Sequence, residues 1–187
     1  MKNYIGVKEI KARPMNKLYY SNYRGWELPH GEDGNDEGYL VEYVNSPNSN
    51  HPDHKGYISW SPKNVFEESY RETSGLPFGL AVEALKKGKR IARLGWNGKG
   101  MFIFMQVPSV IDVQKVVPSM QSLPDSVKDE FISRYELDMG PSENVPMLFG
   151  EIQYKNQIAI VYPDNTIYGW VASPSDVLEE DWVILED

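Results

Sequence analysis

The chain contains no cysteine among its 187 residues, which excludes disulfide bonds and thiolate chemistry. It also lacks any apolar run of the roughly 18 to 20 residues that a membrane-spanning helix requires. The N-terminal segment MKNYIGVKEIKARPM carries charges where a secretory signal peptide has an apolar core, so export is not expected. These absences predict a globular protein of a reducing cytosol with no membrane partner.

Histidine is scarce, and its distribution restricts the chemistry of the chain. All three histidines, at positions 30, 51 and 54, precede residue 75. The rest of the chain therefore has neither histidine, the commonest general base, nor cysteine, the commonest nucleophile. Nucleophile-elbow, Walker A and dinucleotide-binding glycine patterns are absent. The run HPDH offers two imidazoles and a carboxylate without a fourth ligand of defined spacing, and we interpret it as a polar loop. We therefore expect no metal, no cofactor and no catalytic residues.

The charge is strongly acidic overall but locally basic. A formal net charge of -8 disfavours general binding to nucleic acid, which depends on neutralising phosphates. Between Glu83 and Asp112, however, the chain has no acidic residue, and the segment KKGKRIARLGWNGKGM carries six basic ones. Such an island attracts anions while the rest of the surface repels them. The sequence therefore predicts a site for a small anion.

Breaks in the pattern of the chain indicate two domains in an α+β protein. Residues 1–74 contain short strands and one helix, which we expect to begin with Ser61 as N-cap and Pro62 at the first helical position. The run ETSGLP has breakers and no apolar periodicity, so it marks the boundary. We predict an accessory α+β domain over 1–74 and a ligand-binding domain over 75–187, with an insertion at about 108–146.

The second domain is predicted to be a small antiparallel sheet with an amphipathic helix at its start. Apolar residues at helical spacing follow Phe78, and Gly88 ends that helix. A hairpin turns around WNGKG, and a further helix covers 125–137. Strands are predicted over 151–154, 157–162, 167–171 and 182–185, and Ser173-Pro174 begins a short helix.

Two segments carry the candidate ligand-binding residues. In the first, Trp96 offers a stacking face, the glycines beside it allow close approach of backbone N–H groups, and Arg90 and Arg93 can fork onto a phosphate. In the second, the helix start at Ser173 offers N–H groups, and Asp176 either caps that helix or accepts a ribose hydroxyl. Packing of Trp96 in the core, and a purely capping role for Asp176 and Asp181, remain open. We expect Trp182 in the core. The candidates are Arg90, Arg93, Trp96, Asn97, Gly98, Met101, Phe102, Trp170, Ser173, Asp176 and Asp181.

The order of these segments resembles the second family of phage Thoeris anti-defence proteins. The shared pattern is the helix FGLAVEALKKGK, the basic strand RIARLGWNGKG, the strand MFIFMQV and the later run WVASPSDVLEEDW. It covers roughly residues 76–185, apart from the insertion. The runs YIGVKEIKARPM and RGWELP in the preceding segment resemble uncharacterised phage-encoded domains and imply no activity.

The resemblance implies a function. Proteins of that family sequester the cyclic ADP-ribose-type signal made by bacterial TIR enzymes, which implies binding of a cyclic nucleotide, with cyclic dinucleotides as a further ligand class. It also implies phage or prophage origin, action in the cytoplasm of the infected host, and a homo-oligomer, with a tetramer as the expectation. Two alternatives stay open: a cyclic nucleotide- or ADP-ribose-cleaving enzyme that uses carboxylates such as Asp176 with Asp181, and a phage protein-interaction module that uses the aromatic-rich N-terminal segment.

Overall fold

The computed structural model describes residues 1–2, 6–96, 100–138 and 150–185, with only the backbone of 137–138. It is an α+β protein with antiparallel strand pairs, as the sequence predicts. The chain forms two compact units. One consists of Met1–Glu83 with Glu179–Val183, and the other of Ala84–Leu178 with Ile184–Asp187. Within the described ranges, no helix is long and apolar enough to cross a bilayer.

A three-stranded antiparallel sheet organises the first unit. Its order is β1-β2-β3, and the strands are β1 (Lys11–Pro14), β2 (Gly38–Tyr43) and β3 (Tyr57–Pro62). The central strand pairs Leu40 with Trp60 on one side and with Arg13 on the other. Among the described residues before Met15, only Lys11–Pro14 form a strand, and residues 3–5 lie outside the described ranges.

Helix α1 (Lys17–Tyr23) was not expected from the sequence. Asn16 caps it, with its side-chain oxygen accepting a hydrogen bond from the Tyr19 N–H at 2.9 Å. The helix contributes Tyr20 to a buried cluster with Leu40 and Ile58. The N-terminal aromatic residues are thus divided between core and surface, because Tyr19 and Trp26 are 68% and 54% exposed.

The predicted start of the next helix is wrong. Ser61 belongs to β3, where it pairs with Tyr39, and α2 (Lys63–Ser69) follows with Pro62 as N-cap and no side-chain capping bond. The reason is that Pro62, at φ -55° and ψ 145°, is extended and lies on an edge strand, where its missing N–H costs no ladder hydrogen bond.

The second sheet has five strands in the order β10-β4-β5-β8-β9. The predicted hairpin is confirmed, since β4 and β5 are antiparallel with Ile91 opposite Ile103. The predicted strands near 157, 167 and 182 are confirmed too, the first two being shorter than expected. The strands are β4 (Arg90–Arg93), β5 (Phe102–Gln106), β8 (Gln157–Val161), β9 (Ile167–Gly169) and β10 (Trp182–Leu185).

Helix α3 (Phe78–Lys86) ends as predicted at Gly88. Gly88 adopts φ +81°, and the N–H of Lys89 donates to the Ala84 carbonyl at 3.1 Å while the N–H of Gly88 donates to Leu85 at 2.9 Å. These two bonds form a Schellman motif, which a glycine at this position favours because it has no Cβ to strain. The chain can therefore turn directly into β4, the first strand of the candidate site.

The predicted insertion has a hydrophobic core of its own. Helix α4 (Asp125–Asp138) confirms the predicted helix, and its Tyr135 joins Val113 and Val117 in a buried cluster. An unpredicted strand, β6 (Ser109–Asp112), pairs antiparallel with β7 (Glu151–Tyr154). A short 3-10 helix covers Val117–Ser119. Residues 139–146 of the insertion lie outside the described ranges.

Candidate functional site

The two predicted binding segments meet in the second unit through their tryptophans. The ring centroids of Trp96 and Trp170 are 6.2 Å apart, with an interplanar angle of 84°. This edge-to-face arrangement is one that aromatic pairs prefer. Both rings are half-buried, so each keeps some surface accessible to solvent. The pair joins residues that are far apart in the sequence into one aromatic corner.

Backbone hydrogen bonds hold each tryptophan at the end of a strand. The Trp96 N–H donates to the Arg93 carbonyl at 2.8 Å, which closes the turn after β4. The Trp170 N–H donates to the Ile158 carbonyl at 2.9 Å, just beyond β9. Since β4 and β8 are both paired with β5, the sheet itself fixes the positions from which the two rings project.

An ion pair forms a second link between the two segments. The Nη1 atom of Arg93 lies 3.0 Å from Oδ1 of Asp176, and the side chains are 19% and 15% exposed. Asp176 follows Ser173 by three residues, the spacing of a capping box. Its Oδ2 accepts hydrogen bonds from the Ser173 N–H at 2.9 Å and from the Ser173 hydroxyl at 2.7 Å. The carboxylate thus connects β4 to the start of helix α5 (Pro174–Leu178).

The capping roles predicted for Ser173 and Asp176 are confirmed. The Ser173 Oγ accepts a hydrogen bond from the Asp176 N–H at 3.2 Å, in return for the bonds to the carboxylate. Burial acts to raise the pKa of Asp176, but the Ser173 hydrogen bonds and the Arg93 guanidinium outweigh it, and the pKa is lowered. Asp176 is therefore ionised at neutral pH, and the site combines a cation and an anion.

The remaining candidates differ in where they lie. Arg90 places its guanidinium carbon 5.9 Å from the ring centroid of Phe102, and both residues are half-buried, as is Met101. Asp181 belongs to the other compact unit, next to Trp182. Asn97 and Gly98 lie outside the described residues, so their predicted contacts stay predictions.

Trp182 is a core residue, as expected. It is fully buried, its ring lies 5.4 Å from that of Phe78, and its backbone exchanges hydrogen bonds with Leu76 at 2.7 and 3.2 Å. Burial of this kind leaves no ring face for a ligand. Of the tryptophans in the two predicted segments, Trp96 and Trp170 are the ones that keep accessible surface.

Sequence reasoning missed a surface hollow at the turn between β8 and β9. The rings of Tyr162 and Tyr168 are edge to face there, with centroids 5.7 Å apart, and Asp164 accepts hydrogen bonds from the Thr166 N–H and hydroxyl at 3.0 and 2.6 Å. The signal in the sequence was the run YPDNTIY, a turn flanked by tyrosines. That run by itself indicates only a turn.

The imidazoles of the HPDH run are hydrogen-bonded within the protein. Over the described ranges, no three histidine or carboxylate side chains are grouped so that they could hold a metal ion. In the HPDH run, His54 instead bonds to Glu42 and Tyr23, and His51 to the Tyr23 carbonyl. The HPDH run is therefore a polar loop in which both imidazoles have specific hydrogen-bond partners.

Comparison with known proteins matches the region that holds all of the candidates. Residues 76–185 match the family model described as Tad2-like, Thoeris anti-defense 2-like domain. The chain is similar to a protein of Bacillus phage SP01 named Thoeris anti-defense 2, with 36% identity over 110 residues. That alignment covers 59% of this chain and 94% of the phage protein. The phage protein is thus matched over nearly its whole length, and the family match begins at residue 76 of this chain.

Proposed function

We propose, from the premise that this chain belongs to the family of Thoeris anti-defense 2-like domains, that it acts against Thoeris defence by sequestering a signal molecule. The ligand is a cyclic ADP-ribose-type nucleotide made by bacterial TIR enzymes, and the protein binds it without converting it. The observation that carries this proposal is the meeting of the Trp96 and Arg93 segment with the Trp170 and Asp176 segment.

The chemistry of the aromatic corner suits a nucleobase. Each tryptophan is half-buried, so the protein holds the ring in place while part of its face stays accessible. A stacked base contributes about 1 to 3 kcal/mol for each aromatic contact. Because the edge-to-face pair is already formed, little conformational entropy is lost when a base binds.

The charged part suits a ribose phosphate. The Nη1 atom of Arg93 donates to Asp176, and a guanidinium is the group that can fork onto a phosphate with paired N–H donors. Asp176 already accepts from Ser173 and Arg93, and a ribose hydroxyl would be a further donor. We infer that this pair binds the sugar and its phosphate together and so selects a ribose phosphate, whereas a lone arginine would attract any anion.

Sequestration requires tight binding, and these contacts are sufficient in principle. A dissociation constant of about 10 nM corresponds to roughly -11 kcal/mol. Two stacking contacts at about 1 to 3 kcal/mol each and several charge-assisted hydrogen bonds at about 1.5 to 3 kcal/mol each reach that value in a preorganised site. We propose binding without turnover because the sequence after residue 74 has no histidine or cysteine.

We further propose that residues 75–187 hold the whole ligand site and that 1–74 form an accessory domain. The support is that the family match starts at residue 76. We also propose action in the cytoplasm of the infected host, as a homotetramer whose closed symmetry repeats the site.

The test is recovery of the ligand. The full chain is incubated with cyclic ADP-ribose isomers, with cyclic dinucleotides, or with linear ADP-ribose as the control, and unbound nucleotide is removed by gel filtration. Heat denaturation followed by chromatography should return a cyclic nucleotide chemically intact. A hydrolysed product that increases with incubation time would instead support the enzyme, and retention of no cyclic nucleotide would refute sequestration.

A further inference from the structure

The first unit contains a hydrogen-bonded chain of a carboxylate, an imidazole and a phenol, outside the family match. The Nδ1 atom of His54 lies 2.9 Å from Oε2 of Glu42, and its Nε2 lies 3.0 Å from the Tyr23 hydroxyl. The three residues come from strand β2, the loop after it and helix α1. This is the order of orienting acid, base and nucleophile found in hydrolytic triads.

The surroundings of Glu42 determine which nitrogen of His54 carries the proton. Oε1 of Glu42 accepts hydrogen bonds from the N–H groups of Lys55 and Gly56 at 3.1 and 3.0 Å. The hydrogen bond from His54, followed by that from Gly56, lowers the pKa of Glu42, so the carboxylate is an acceptor only. In the neutral imidazole, Nδ1 of His54 therefore carries the proton, and the lone pair of Nε2 faces the Tyr23 hydroxyl.

Tyr23 is held in position by a second imidazole. The ring of His51 stacks on the Tyr23 ring, with centroids 4.3 Å apart and an angle of 18°. His51 also lies 3.1 Å from the Tyr23 carbonyl through Nε2, and its Nδ1 accepts from the Asp53 N–H at 3.3 Å. A phenol fixed on both its ring and its hydroxyl is preorganised for reaction rather than free to rotate.

A cation lies beside this phenol. The guanidinium carbon of Arg13, an exposed residue of β1, is 5.6 Å from the centroid of the Tyr23 ring. Arginine binds phosphate through paired N–H donors. A phosphoryl group bound by Arg13 would therefore lie close to the Tyr23 ring.

We propose that Tyr23 is a base-assisted nucleophile toward phosphoryl esters, in a site separate from that of the anti-defence domain. The Tyr23 oxygen attacks phosphorus, a bond from oxygen to phosphorus forms, and the bond from phosphorus to the leaving oxygen breaks. Nε2 of His54 takes the phenolic proton and then passes it to the leaving oxygen. Glu42 is the positioning residue, which holds the imidazole in the reactive tautomer.

The test uses a fluorophosphonate on the full chain. Attack by Tyr23 forms the bond to phosphorus, fluoride leaves, and His54 takes the proton, so the adduct is read by peptide mass spectrometry. The matched comparator is Tyr19, which is on the same helix and is 68% exposed. We expect Tyr23 to react at least about tenfold faster than Tyr19, although it is more buried, because base assistance contributes about 100-fold or more.

The pH profile and one variant separate reactivity from a structural role. A base-assisted phenol stops gaining rate once its base is neutral, whereas an unassisted phenol gains rate up to about pH 10. His54→Gln can still donate to Glu42 but cannot take a proton, so it should remove the preference for Tyr23. Labelling of Tyr19 at an equal or higher rate, or a rate that rises up to pH 10, would overturn the proposal. The profile of the unmodified chain decides the question even where the variant does not fold.

Discussion

Substitution of the Arg93 and Asp176 pair tests whether this ion pair holds together the two segments that are predicted to bind the ligand. The side chains are 19% and 15% exposed, which lies between the surface and buried cases. Exposed pairs contribute about 0 to 1 kcal/mol, and breaking a fully buried pair costs about 3 to 5 kcal/mol. We therefore expect Arg93→Met to lower the free energy of unfolding by about 2 kcal/mol, because Asp176 keeps its charge without its cation.

The matched change on the partner should cost less. Asp176→Asn retains an oxygen for the Ser173 N–H, so the cap survives and the expected loss is about 1 kcal/mol. The double variant should lose less than the sum, with a coupling energy of about 1 to 2 kcal/mol. Urea unfolding followed by tryptophan fluorescence measures all four proteins, with equal denaturant slopes as the control.

The pH dependence gives an independent check of the same pair. The pKa of Asp176 is lowered by folding, so its contribution to stability is present above about pH 4 and is lost as the pH falls through the folded value. The difference in stability between the unmodified chain and Asp176→Asn should therefore shrink in acid. A coupling energy near zero, or a stability difference that grows below pH 4, would refute the reasoning.

Three further predictions concern the ring, the turn and the domains. Trp96→Ala should weaken nucleotide binding by about 1 to 3 kcal/mol in a titration, while Trp26→Ala, an exposed tryptophan of the other unit, should not; equal affinities would exclude stacking by Trp96. Gly88→Ala should lower the free energy of unfolding by about 1 to 2 kcal/mol, because residue 88 has a φ of +81°. Gly79→Ala, inside helix α3, should instead raise it by about 0.4 to 1 kcal/mol. Melting curves of the two variants that shift in the same direction would contradict this. A protein that starts at Ser74 should fold and show a ligand-dependent rise in melting temperature, and a folded truncation without that rise would place part of the site in the removed segment.

The elements that could be predicted are those whose signal is local. Helix α3 combines apolar residues at helical spacing with Gly88, and the structure ends it there through the Schellman bonds. Strand β10 matches the prediction residue for residue, since WVIL is a continuous apolar run between acidic residues. Helix α1 was missed because its run KLYYSNY has no helical apolar period, although Asn16 was a capping signal.

The site was harder to predict than the elements. Strand β6 was not predicted because it forms by pairing with β7, and the register of that pairing depends on residues far apart in the sequence. Neighbours in the sequence predict a phosphate contact for Arg93, and for Asp176 either a helix cap or a bond to a ribose hydroxyl. Their ion pair joins residues 83 positions apart, and no local pattern of charges specifies such a partner.

The composition of the first unit has a consequence for synthesis on the ribosome. That unit includes Glu179–Val183, and Trp182 of this segment forms backbone hydrogen bonds with Leu76. After residue 83 has been synthesised, a further 100 residues must therefore be added before the whole segment is present. At about 5 to 20 residues per second, the delay is roughly 5 to 20 s. During that interval the nascent chain leaves the hydrogen-bonding groups of Leu76 and the ring of Phe78 without their final partner. Synthesis of Glu179–Val183 therefore sets the earliest time at which the first unit can finish folding.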